Sequence, residues 1–125
     1  MELRDQPLQS FIPISDADKA TIFYRDVLGL ELLEDTPFAL VFSVSGGALR
    51  LAKTPDFTPQ PFTVVGWEVD DITAGMADLA RHGVAPLHFD GLPQDEAGIW
   101  RTPDGTQVVW FNDPDGNVLS LSQPA

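Results

Sequence analysis

The feature that most constrains this 125-residue chain is that it repeats itself. Asp16 and Asp71, 55 positions apart, each precede a run with helical spacing, and Gly46-Gly47-Ala48-Leu49-Arg50-Leu51 matches Gly116-Asn117-Val118-Leu119-Ser120-Leu121 at an offset of 70. Residues 8–14 alternate in bulk and predict a strand, after which Ser15 and Asp16 offer a helix N-cap. Ala20, Phe23, Tyr24, Val27 and Leu28 keep helical spacing until Gly29, a residue suited to a left-handed stop. Three short strands are then expected at 30–33, 39–44 and 48–52, parted by Asp35-Thr36-Pro37 and Ser45-Gly46-Gly47, both turn-forming. Residues 53–61 hold three prolines and no periodicity, which suits a linker. Beyond them the pattern returns: a strand at 62–69, a helix opened by Asp70 and Asp71 with the stripe Ile72, Met76, Leu79 and Ala80, a stop at Gly83, and strands at 84–89, 99–102, 106–111 and 118–122. The expected organisation is one α+β domain of two β-α-β-β-β modules, 7–52 and 62–123, joined by 53–61.

Composition removes whole classes of function. Seven Lys and Arg against nineteen Asp and Glu give a net charge of −12, so nucleic acid is not an expected partner, because a phosphate backbone must be met by clustered cations. Anionic membrane surfaces are disfavoured for the same reason. The absence of cysteine rules out disulfides, cysteine-based zinc sites and thiol catalysis. The opening MELRDQPLQS lacks the basic-then-apolar order of a signal peptide, and no apolar run approaches the roughly 18 residues of a membrane span. A cytoplasmic protein is expected. The 43% of hydrophobic residues suffice for a core.

Ile14-Ser15-Asp16, the segment Phe23-Tyr24-Arg25-Asp26-Val27-Leu28-Gly29-Leu30, and Phe111-Asn112-Asp113-Pro114-Asp115-Gly116-Asn117 together resemble the vicinal oxygen chelate superfamily, which includes glyoxalase I, extradiol dioxygenases, fosfomycin-resistance enzymes and bleomycin-resistance proteins. The resemblance spans nearly the whole chain and implies a fold in which the curved sheets of two modules form a cleft. The motif residues themselves are structural: Phe23 and Leu28 supply bulk to a buried helix face, and Asp113 to Asn117 form a tight turn. Enzymes of the superfamily hold a divalent metal through His, Gln or Glu on the first and last strands of each module. The resemblance puts those positions at Gln9, Arg50, Val64 and Ser120. Gln9 alone is a competent ligand, since Val64 has no lone pair, Arg50 brings a cation to a cation site and Ser120 is a weak neutral donor. No metal or other cofactor is expected. Glu68 with His88 is the remaining combination to weigh for a rearranged site, while His82 suits a helix C-terminus. Asp95-Glu96, in a Gly/Pro-rich loop, read as a solvated turn.

Strand alternation places Gln9, Phe11 and Pro13 on one face and Val64, Gly66 and Glu68 on another, with Arg50 and Ser120 in the same concavity. Leu8, Ile12, Ile14, Val65, Trp67 and Val69 then fall under the helices. About half of the aromatics Phe42, Phe89, Trp100, Trp110 and Phe111 should reach the cleft. The candidate ligand-binding residues are therefore Gln9, Phe11, Phe42, Arg50, Glu68, Trp100, Trp110 and Ser120. An apolar, aromatic groove with few polar groups suits a planar organic molecule. The expected function is a protein that binds an aromatic small molecule in a metal-free cleft, like the bleomycin-resistance branch. The alternative is an enzyme of the superfamily, either metal-dependent with displaced ligands or metal-free. The resemblance also implies a homodimer, formed by side-by-side packing or by module exchange.

Overall fold

The computed structural model describes residues 1–125, which divide into two compact units, 1–58 and 59–125. In the first, β1 (Leu8–Ile14) leads to α1 (Ala17–Thr21), which continues as a π-helical segment over Ile22–Val27, followed by β2 (Glu31–Asp35), β3 (Ala39–Val44) and β4 (Gly47–Lys53). In the second, β5 (Thr63–Glu68), α2 (Ile72–Arg81), β6 (Trp100–Arg101), β7 (Gln107–Asn112) and β8 (Val118–Gln123) follow in the same order. The sheets repeat one topology, β1-β4-β3-β2 and β5-β8-β7-β6, each with a single parallel pair between its first and last strands.

Both helices start as the sequence requires. The Asp16 carboxylate accepts the Lys19 amide at 3.0 Å, and Asp71 accepts that of Ala74 at 3.0 Å, so each satisfies a donor that the first turn would leave open. On α2 the residues Ile72, Met76 and Leu79 are buried, and α1 with its π-helical extension buries Ala20, Phe23 and Tyr24. The sheet residues beneath them are Ile12, Ile14, Leu40, Phe42, Leu49 and Leu51 in unit 1, and Val109, Phe111, Leu119 and Leu121 in unit 2.

The motif near the end of the chain folds as a self-contained turn. Asp113 Oδ1 accepts the amides of Asp115 and Asn117 at 3.0 and 2.9 Å, and Asn117 Nδ2 donates to Oδ2 at 2.9 Å. Gly116 has φ +89°, which a residue with a Cβ rarely adopts. Asp113 and Asn117 are both buried, and the hydrogen bonds between them hold the turn, in keeping with its structural character.

Two expectations change. Residues 84–89 form no strand. Pro86 withholds a donor, and the Gln94 side chain takes the place of a partner strand: its Oε1 accepts the Phe89 amide at 2.7 Å while its Nε2 donates to the carbonyls of Leu87 and Gly98 at 2.8 Å each. Leu8, expected in the core, is 74% exposed, because it pairs with Gly47 at the open end of β1, where no side chain stands opposite.

Candidate functional site

In each unit one sheet face lies under the helix and the other carries none, and strand register decides which residues share the helix-free face. In unit 1 one row across the sheet is Phe11, Arg50 and Val41. Phe11 is 65% exposed, Gln9 is exposed one step along the same strand face, and Arg50 is half-buried. The Arg50 guanidinium has neither an ion-pair nor a hydrogen-bond partner. Phe42 is not part of this face. It pairs with Leu49, is fully buried, and packs against Tyr24 with ring centroids 5.9 Å apart. One residue of register separates it from Val41, and in a strand one residue reverses the side.

In unit 2 the equivalent row is Gly66, Ser120 and Trp110, and the next row is Glu68, Ser122, Val108 and Trp100. Four of the expected residues, Glu68, Trp100, Trp110 and Ser120, are thus brought onto one helix-free face. Trp100 and Trp110 stack with centroids 6.2 Å apart and planes 28° from parallel, and Phe89 meets Trp110 edge-on at 5.4 Å. Both tryptophans are half-buried and Glu68 is exposed. At Gly66 the Ser120 side chain takes the space a Cβ would need, since an added methyl group would run into Ser120 Oγ.

Three supporting residues carried no site signal in the sequence. A register shift between Thr63 and Val65 sets Thr63 opposite Val118, and its hydroxyl accepts Trp110 Nε1–H at 3.0 Å. A bulge of this kind leaves no trace in a period-two pattern. Gln94 fixes the segment carrying Phe89, as described above. Asp95 closes the same loop: Oδ1 accepts the Ile99 amide at 2.9 Å and Oδ2 accepts Arg101 Nη1–H at 2.8 Å. The bond from Arg101, then that from the Ile99 amide, holds the Asp95 carboxyl below the ordinary carboxylate range. Asp95 is therefore a loop staple rather than a solvated turn residue.

The metal positions implied by the sequence offer a poor donor set. Gln9 is a neutral oxygen ligand, Val64 offers none, Arg50 is cationic and Ser120 is a neutral hydroxyl. That set does not fit a divalent cation, which requires several carboxylate, imidazole or carbonyl donors. His88 and Glu68 do not supply a replacement, as no three His, Asp or Glu side chains converge anywhere in the chain. A separate depression of about 340 Å³ lies against α2, lined by Met76, Ala77, Ala80, Val84, Pro86 and Ile99 among others. It contains no aromatic ring and none of the expected site residues.

A sequence model of the Glyoxalase/Bleomycin resistance protein/Dioxygenase superfamily matches residues 7–121. The chain belongs to this superfamily. Among solved structures, TnmS3, an antibiotic binding protein from Streptomyces sp. CB03234, is 31% identical over 97% of each chain, with a TM-score of 0.73. A lactoylglutathione lyase from Agrobacterium tumefaciens is 19% identical, covering 95% of this chain and 93% of its own, with a TM-score of 0.74. The fosfomycin resistance protein FosX from Listeria monocytogenes is 12% identical over 94% and 92%, also at 0.74. The last two speak for the glyoxalase-like fold alone. No helix is long and apolar enough to cross a membrane.

Proposed function

We propose that this protein binds a planar, aromatic small molecule without a metal, as a single 1–125 domain of the two modules, and that it acts by holding the molecule rather than transforming it. The observation that carries this reading is the Trp100–Trp110 stack with Phe89 at its edge, on a sheet face that no helix of unit 2 covers. A half-buried pair of indoles presents ring faces and edges to a flat ligand, and such contacts contribute about 0.5–1.5 kcal/mol each beyond area burial. Ser120, packed over Gly66, sets small, polar surroundings beside Trp110. In unit 1, Phe11 offers a further exposed ring, Gln9 an amide, and the unpartnered Arg50 a guanidinium able to stack or to grip a carboxylate. The likeness to an antibiotic binding protein at 31% identity supports the same reading. A cytoplasmic homodimer accords with it, each protomer carrying the same faces.

The test is direct binding. Trp100→Ala and Arg50→Ala should each weaken the affinity for an aromatic ligand, by about tenfold for the tryptophan, where about 1.4 kcal/mol is one decade. If both leave affinity unchanged, the assignment of the faces is wrong. Metal analysis of untagged protein addresses the enzymatic alternative: stoichiometric Ni, Zn, Mn or Fe would overturn the metal-free reading.

A further inference from the structure

Asp-Gly pairs occur three times in the chain, at 90–91, 104–105 and 115–116, all of them in unit 2. Such a pair carries a latent reaction of its own. The glycine nitrogen, with no Cβ beside it, can attack the aspartate Cγ, and the outcome depends on how each turn uses that nitrogen.

Two of the turns use it fully. In Thr102-Pro103-Asp104-Gly105 and in Asp113-Pro114-Asp115-Gly116 the glycine is the fourth residue. Its amide closes the turn on the carbonyl of the first residue, Thr102 or Asp113, at 3.0 Å in each. The Asp104 carboxylate is engaged as well, accepting the Thr102 hydroxyl and, at 3.1 Å, the Thr106 amide. These bonds, that from Thr102 foremost, hold its carboxyl below the ordinary range and so keep it as the unreactive anion. Gly116 is covered by Pro59, whose Cγ lies 3.2 Å from the place a Cβ would take.

The third turn is built in a different phase. In Phe89-Asp90-Gly91-Leu92 the closing bond runs from the Leu92 amide to the Phe89 carbonyl at 3.2 Å. Asp90 and Gly91 therefore hold the two central places, with Gly91 at φ +80°, the value of the third residue in a type II turn. The Gly91 amide has no acceptor, the Asp90 carboxylate has neither an ion pair nor a hydrogen bond, and both residues are exposed.

We propose that Asp90–Gly91, alone among the three Asp-Gly pairs of the folded chain, is a site of isoaspartate formation, and that its conversion releases Phe89 from Trp110. The Gly91 nitrogen bonds to Cγ of the protonated Asp90 carboxyl. The Cγ–OH bond breaks, and the hydroxyl leaves with the amide proton as water, giving a succinimide ring. Water then adds to one of the two ring carbonyls. Opening at the side-chain carbonyl restores aspartate, whereas opening at the main-chain carbonyl routes the backbone through Cβ and Cγ. No electrons are exchanged, and water is the sole co-reactant. The isoaspartate link adds one tetrahedral carbon, about 1.5 Å of chain, directly after Phe89. The Phe89 amide is held by Gln94 Oε1 at 2.7 Å and its ring meets Trp110 at 5.4 Å, so both contacts are strained by the insertion.

The test ages folded protein and a guanidinium-unfolded sample in heavy-oxygen water at pH 6 and 37 °C, until the Asp-Gly pairs of the unfolded sample are largely labelled. Each hydrolysis of a succinimide leaves one heavy oxygen. Trypsin, cutting after Arg81 and Arg101, parts Asp90 from the other two pairs, and fragment ions place the label and distinguish isoaspartate from aspartate. In the folded sample Asp90 should carry at least tenfold more label than Asp104 or Asp115, and on unfolding the three should agree within threefold. Equal labelling in the folded chain, no label at Asp90, or a preference that persists on unfolding would overturn the assignment. Asp90→Glu, which would have to close a less favourable six-membered ring, should lose the label and keep its tryptophan emission on ageing. Emission of the parent should move to longer wavelength as isoaspartate accumulates. A fixed parent spectrum, or an equal shift in Asp90→Glu, would overturn the release of Phe89 while leaving the modification site in place.

Discussion

The two units use one topology to build opposite faces. Phe11, Arg50 and Val41 occupy the same places in unit 1 as Gly66, Ser120 and Trp110 in unit 2. The large ring stands on the first strand in one unit and on the third in the other, with a guanidinium or a hydroxyl between. The cores differ in a complementary way. Unit 1 puts Phe23, Tyr24 and Phe42 together under its helix, whereas unit 2 uses Ile72, Met76 and Leu79 from α2 and keeps its two stacked tryptophans on the other side of the sheet. Backbone repetition is thus maintained by caps, turns and ladders, and it leaves the side chains of each face free to diverge. Specificity then lies in a few positions of register and not in the fold.

The contrast is broken most severely in the core of unit 1. Phe42→Ala should destabilise by about 3–5 kcal/mol in urea unfolding, since it empties a fully enclosed site against Tyr24. Were Phe42 on the binding face instead, the cost would be far smaller and the loss would appear in affinity. Asp113→Ala should follow at about 2–3 kcal/mol, because it leaves buried donors of the terminal turn without an acceptor.

Gln94→Ala sharpens the comparison at the loop that only unit 2 has. Removing three hydrogen bonds from a partly buried loop should cost about 1–3 kcal/mol, and release of Phe89 should shift tryptophan emission and weaken ligand binding together. A normal spectrum in a destabilised variant would separate the loop from the aromatic cluster. The same loop should loosen in acid. Asp95 has a lowered native pKa, so its contribution is complete above the ordinary carboxylate value of about 3.9 and is lost as pH falls through the lower native value. Arg101→Ala should move that acid transition to higher pH, as followed by tryptophan fluorescence. Phe11→Ala should change stability least, by about 0.5 kcal/mol or less for an exposed site, leaving any effect in binding alone.

Much of this was legible from residue types. The repeat, the two capping aspartates, the glycine stops and the Asp113–Asn117 turn each depend on local chemistry that a sequence states outright, and the register sets Glu68, Trp100, Trp110 and Ser120 in two neighbouring rows of one sheet. The misplacements have a common cause. Alternation says which residues of one strand share a side, but the neighbouring strands decide which side is covered. Phe42 and Val41 are adjacent in sequence and opposite in space, and only the pairing of β3 with β4 assigns the first to the core.

The sequence by itself determined that this chain would form two β-α-β-β-β units of the glyoxalase-like kind and that its usual ligand positions would make a poor metal site, because helix caps, turn residues and side-chain donors act locally. The tertiary structure decided the rest: that Trp110 rather than Phe111 stacks on Trp100, that Thr63 reaches the indole through a bulge, and that a glutamine side chain substitutes for a strand. Those outcomes depend on which hydrogen-bonding groups meet across strands and loops distant in sequence, and no single segment contains that information.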